Sequence, residues 1–121
     1  MIYLASPYSD PDVVVRERRF HQACLAAGFL VRAGHHVYCP VAHTHSIAVR
    51  SELPLGWDYW QSYDAWFIER CAELRVIALP GWTKSRGVKA EIAIAKAHQK
   101  PTSLWNLVSA DSHQLLFVEE I

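Results

Sequence analysis

Four short apolar runs, each separated from the next by enough chain for a helix, limit what this sequence can fold into more than any other feature. They are residues 1–5, 36–39, 74–79 and 102–105, and the first three give way to Pro7, Pro40 and Pro80. Proline removes a ladder donor and biases its predecessor toward extended or turn backbone, so these are strand ends. Continuously apolar strands belong to a parallel sheet covered on both faces, and parallel neighbours need helix-sized crossovers. The alternation predicts an α/β fold. It is expected to be a three-layer sandwich with a parallel, flavodoxin-like or Rossmann-like sheet of four to five strands, with residues 1–121 forming one domain.

The connections fit that plan. From about Pro11, with Asp10 as cap, Phe20, Ala23, Cys24, Ala27, Leu30 and Val31 recur at helical spacing until Gly34. Residues 57–71 and 85–99 read as two further helices, whereas residues 41–56 show neither period and read as a functional loop. The tail, 106–121, leaves three readings open: an edge strand at 115–118, an oligomer contact, or a loosely attached end.

A chain of 121 residues, 51% of them hydrophobic, supports one core and not two. Its 12 basic residues equal its 12 acidic ones, which argues against a nucleic-acid polymer or an anionic membrane as partner. No run approaches the roughly 18 apolar residues of a membrane span, and the start lacks the basic region of a signal peptide, so a cytoplasmic location is expected. Cys24, Cys39 and Cys71, odd in number and irregular in spacing, read as buried free thiols. Cys39, His43 and His45 also form a zinc-type donor set, but it lacks an evident fourth ligand. Those histidines are read as solvent-facing or base-contacting, and no metal or cofactor is expected.

In open parallel sheets ligands bind outside the carboxyl ends of the strands, here the loops that begin near Ala5, Pro40, Pro80 and Asn106. The first loop carries Ser6, Tyr8 and Ser9. The third runs from Gly81 through Ser85, Arg86 and Gly87 into a helix start. It is either an anion site built on backbone donors or an ordinary helix capped by Ser85. Two acids break the apolar faces of their helices. Asp64 falls with Trp57, Trp60, Phe67 and Ile68; Glu91 falls with Val88, Ile92 and Ala95, about one turn from the positive end of its helix. A carboxylate on an apolar face is costly unless something answers it. Paired acids in a partly dry cleft can split glycosidic bonds, one acting at the anomeric carbon while the other moves protons. The plainer alternative is that each caps a helix or pairs with an arginine such as Arg70 or Arg86.

Three segments in order carry a resemblance. Ile2-Tyr3-Leu4-Ala5-Ser6-Pro7, then Tyr63-Asp64 ahead of the third strand, then the stretch from Ser85-Arg86-Gly87 to Glu91 resemble the nucleoside 2-deoxyribosyltransferase superfamily over about residues 1–105. Within it the chain is most similar to a branch of small bacterial and phage proteins of uncharacterised function. The resemblance implies a retaining mechanism in which Glu91 attacks C1′, Asp64 assists the departing base and Tyr3 hydrogen-bonds the nucleophile. It implies Ser6, Pro7, Ser85, Arg86 and Gly87 around the substrate, and Trp60 is a candidate to stack on the base. The family usually carries an aspartate six residues before the nucleophile. Ser85 stands there instead, and this resembles the branch that hydrolyses 2′-deoxynucleoside 5′-monophosphates, where the serine contacts phosphate. The resemblance further implies a homodimer or homotetramer whose neighbouring subunit completes the pocket, with Asn106 as the one residue considered for that part.

No dinucleotide fingerprint, Walker A sequence or nucleophile elbow is present, which sets aside dehydrogenase, P-loop kinase and α/β-hydrolase chemistry. The function expected is cleavage or transfer of the N-glycosidic bond of a (deoxy)nucleoside, nucleotide or related N-glycoside. Its rivals are a non-catalytic nucleotide-sensing module on the same fold and a protein-interaction subunit without a ligand.

Overall fold

A computed structural model describes residues 1–109 and 114–121. Along the chain run β1 (Ile2–Ala5), α1 (Val13–Arg32), β2 (Val37–Tyr38), α2 (Pro40–Arg50), α3 (Trp57–Arg70) and β3 (Glu73–Ile77). A short 3-10 turn (Trp82–Lys84), α4 (Arg86–Ala97), β4 (Thr102–Leu107) and β5 (Leu115–Glu120) complete it. The described strands form one sheet in the order β2-β1-β3-β4-β5. The first four are parallel and β5 runs antiparallel to β4. The fold is thus α/β with a mostly parallel sheet, and no helix among the described residues is long and apolar enough to cross a membrane.

β1 lies between β2 and β3, and all four of its residues are buried. Side chains alternate across a strand, so its residues divide between two apolar clusters. Ile2 and Leu4 pack with Ala23, Ala26 and Leu30 of α1; Tyr3 and Ala5 pack with Ile68 of α3 and with Val88 and Ala95 of α4. Tyr3 therefore points toward the helices that carry Asp64 and Glu91.

Several expectations are corrected. α1 is capped by Asp12, whose side chain accepts the Val14 N–H at 2.8 Å, and not by Asp10. Asp10 instead accepts the Asp12 N–H, closing a turn around Pro11 and delaying the helix to Val13. Cys24 and Val31 are exposed, because the buried stripe of α1 runs through Ala23, Ala26, Ala27 and Leu30; Cys39 and Cys71 are buried. Much of the segment read as a loop is helix α2. Its inward positions Pro40, Val41, His45 and Ala48 have helical spacing, but a histidine among them hides the apolar period. The tail supplies the edge strand β5; the rest of that expectation at 110–113 lies outside the described residues.

Candidate functional site

The strand order makes the chain leave β1 to one side for β2 and return to the other side for β3. A crevice opens at such a switch point, outside the carboxyl ends of the strands. A pocket of ≈ 340 Å³ occupies this region. The turn after β1 lends it Ser6 and Tyr8, α2 lends Thr44 and His45, α3 lends Trp60 and Asp64, and α4 with its leading turn lends Ser85, Arg86 and Glu91. Arg19 braces two of these segments. Its guanidinium donates to the carbonyls of Ser9 (3.0 Å) and Pro80 (3.2 Å), tying the loop after β1 to the turn after β3. Gly81 holds φ at 92°, a backbone conformation that favours glycine, and a Cβ there would meet that guanidinium at 2.8 Å and make it shift.

Three groups meet beneath the pocket. Tyr3 is 0% exposed, Glu91 4% and Asp64 6%. The Tyr3 hydroxyl donates to Glu91 Oε2 across 88 residues of sequence. Burial pushes the Glu91 carboxyl well above its usual range, and the neighbouring Asp64 charge pushes it further, while the Tyr3 hydrogen bond works in the opposite direction. Burial likewise lifts Asp64, to about 7, partly offset by the nearby Tyr3 hydroxyl. The Tyr3 phenol is itself raised by burial and by the two acids. Burial raises the proton affinity of both acids and Asp64 raises that of Glu91 further, an environment of the kind in which one carboxyl can serve as acid beside another. Asp64 Oδ1 and Ser6 Oγ, both buried, have no hydrogen-bond partner among the described residues. A pocket floor with unanswered acceptors is prepared for a ligand that brings donors.

The helix end is less exclusive. Ser85 caps α4, its Oγ accepting the Val88 N–H at 3.2 Å. A hydroxyl that accepts still has its own hydrogen to donate, so capping and anion binding are compatible. The Arg86 guanidinium donates to Asp58 at 2.7 Å in an exposed pair. An exposed pair of this kind is worth little and is easily exchanged for another anion.

The family model of DUF1937, a domain of unknown function, matches residues 1–107. The chain belongs to this family. Every residue lining the pocket falls inside the DUF1937 match, as do β1 to β4. No curated protein matches the sequence.

Of the residues singled out from sequence, Ser6, Trp60, Asp64, Ser85, Arg86, Gly87 and Glu91 line the pocket of this DUF1937 chain. Tyr3 does not; it reaches the pocket only through Glu91. Pro7 does not either, since it is fully buried where the chain turns out of the sheet. Trp60 gives its indole N–H to the Pro54 carbonyl at 2.7 Å, so it offers the pocket apolar surface alone. A Cβ on Gly87 would meet Trp57 at 3.7 Å, an ordinary contact, so the protein's own packing does not demand glycine there.

The Cys39, His43 and His45 set disperses. Cys39 is buried and its thiol is pushed up to about 12 by that burial. His43 turns back on its own helix, with Nδ1 2.9 Å from the Cys39 carbonyl, while His45 points into the pocket wall. Among the described residues no cluster of three or more His, Cys, Asp or Glu side chains stands ready to hold a metal. Sequence reasoning missed Tyr8 and His45 as partners. The signal lay in the inward spacing of α2, legible only once that segment is known to be a helix.

Proposed function

We propose that this protein cleaves or transfers the N-glycosidic bond of a (deoxy)nucleoside, nucleotide or related N-glycoside, with Glu91 as nucleophile. The observation that carries the reading is the pair of buried carboxyls, Asp64 and Glu91, the latter held by the Tyr3 hydroxyl, at the floor of a pocket large enough for a small ligand. Glu91 attacks C1′ as a carboxylate, and the departing base takes a proton from Asp64. Glu91 becomes a neutral ester while Asp64 is left as the carboxylate, so the negative charge passes from one acid to the other and stays beside the positive charge that develops on the sugar. Water or an acceptor base then attacks C1′, returns its proton to Asp64 and restores the Glu91 carboxylate. Tyr3 donates to Glu91 throughout and is a positioning residue. The cap hydroxyl of Ser85, with Arg86 and the first turn of α4, favours a 5′-phosphate on the substrate.

The wider reading is a three-layer, flavodoxin-like arrangement with a reversed last strand, supported by the strand order and by apolar clusters on both sides of β1. A homodimer or homotetramer is proposed as the working form, with the exposed Tyr59, Tyr63 and Trp66 of α3 as surface that a second copy would bury, and a cytoplasmic location goes with it.

The test is release of free base from the four 2′-deoxynucleosides and their 5′-monophosphates, with and without an acceptor base, by the wild type and by Glu91→Ala. Loss of release by about 10⁴-fold or more in the variant is the expected outcome. Nucleotide binding without release by the wild type would replace the reading with a sensing module. Neither binding nor release would leave only the fold.

A further inference from the structure

His45 is 7% exposed and stacks on Phe20 of α1, with ring centroids 4.1 Å apart and planes 22° from parallel. Both of its ring nitrogens are engaged. Nδ1 lies 2.6 Å from the Tyr8 hydroxyl, and Nε2 lies 3.1 Å from Glu17 Oε1. The Glu17 side chain is 56% exposed, so the chain of three runs from the pocket wall to solvent.

With the imidazole neutral, the chemistry of the partners fixes the direction of both bonds. A carboxylate only accepts, so the ring hydrogen of neutral His45 sits on Nε2; a hydrogen on Nδ1 would turn the Nε2 lone pair against the Glu17 oxygen. Nδ1 is then the acceptor, and Tyr8 gives it the only hydrogen the phenol has. The phenol oxygen keeps acceptor capacity toward the pocket and has nothing left to donate.

We infer that Tyr8, held by His45 and Glu17, is an acceptor-only group in this pocket and selects ligands that present a neutral O–H or N–H donor to it. This deepens the nucleotide reading above and rests on it. A phosphate or carboxylate oxygen placed against Tyr8 would face lone pairs with no hydrogen between. An anionic group is therefore directed to Ser85, Arg86 and the first turn of α4, and a donor to Tyr8. The two chemically distinct parts of one pocket orient a substrate that carries an anion at one end and a hydroxyl or amino group at another. The donor has two sources in a nucleotide, the sugar hydroxyl and the base.

The experiment measures equilibrium binding to the full chain carrying Glu91→Gln, so that no probe is consumed. The probes are the 2′-deoxynucleoside 5′-monophosphates, their 2′,3′-dideoxy counterparts, and counterparts whose base lacks its exocyclic amino group. One of the two deletions is expected to weaken binding about 10- to 100-fold, and which one names the source of the donor. The same penalty should shrink to about 2-fold or less when Tyr8→Phe is added, a change in discrimination that a purely structural role would not produce. Glu17→Ala is the second variant should Tyr8→Phe disturb folding, since its exposed side chain can be removed without opening the core; freeing the tautomer should lower the penalty several-fold. A penalty that survives both variants, or no penalty from either deletion, overturns the inference alone. No binding by any probe overturns the nucleotide reading and this one with it. The ¹⁵N shifts of His45 at mildly alkaline pH provide a check without ligand: hydrogen on Nε2 supports the inference, and hydrogen on Nδ1 overturns it.

Discussion

The two sides of the pocket solve the burial of polar groups in opposite ways. On the α2 side, Tyr8, His45 and Glu17 form a chain in which both ring nitrogens of the histidine have a partner and the last member reaches solvent. On the α3 and α4 side, Tyr3, Asp64 and Glu91 are sealed from bulk solvent, the two acids at the pocket floor and Tyr3 beneath them, one carboxyl oxygen of Asp64 has no partner among the described residues, and both acids are pushed toward their protonated forms. The first arrangement is complete without a ligand. The second holds a cost that binding would relieve, and polar groups left in that condition inside a native fold belong to functional sites more often than to scaffolding.

Substitutions on the two sides should therefore differ in kind. The largest effect is expected from Tyr3→Phe, which removes the hydroxyl that answers Glu91 and little else. Steady-state base release should fall about 10²- to 10³-fold in kcat. An unchanged rate would mean that the sealed side does no chemistry.

Next comes His45→Ala, which leaves Tyr8 and Glu17 without their shared partner and removes the ring stacked on Phe20. Denaturant unfolding should show a loss of about 3 kcal/mol. A loss below about 1 kcal/mol would erase the distinction between the completed side and the strained one.

The smallest effect has the opposite sign. Asp64 is raised by burial from the ordinary carboxylate range to about 7, so between those values the folded chain holds a proton that the unfolded chain has lost. Its contribution to stability is full below the unfolded value and is lost as pH rises through the folded one. Asp64→Asn should make that slope shallower, leaving the part that Glu91 contributes, and leave the protein about 2 kcal/mol more stable than wild type above neutrality, read from unfolding curves taken between mildly acidic and mildly alkaline pH. A wild type whose stability does not fall over that range would show that Asp64 is not strained.

The sealed side was legible from sequence because helical periodicity is a local property. Asp64 and Glu91 each stand where their helices should carry an apolar residue, and both are buried. The completed side was not legible, for two reasons. Four polar residues in a row, His43 to Ser46, obscure the period of α2. His43 and His45 are also close in sequence yet about 200° apart around a helix, so they diverge where a loop would have let them converge on one ion. The same geometry turned Cys24 and Val31 outward although they adjoin the buried stripe of α1.

What the sequence by itself determined is the alternation of strands and helices, the parallel β1 to β4, and the inward direction of two acids, all consequences of spacing over a few residues. Only the tertiary structure decided that Tyr3 meets Glu91 from 88 residues away, that Tyr8, His45 and Glu17 join from three separate elements, and that β5 reverses against β4. The reason is physical. Periodicity says which way a side chain faces, whereas the partner it finds there depends on which strands become neighbours, and the order β2-β1-β3-β4-β5 emerges from packing the whole chain at once.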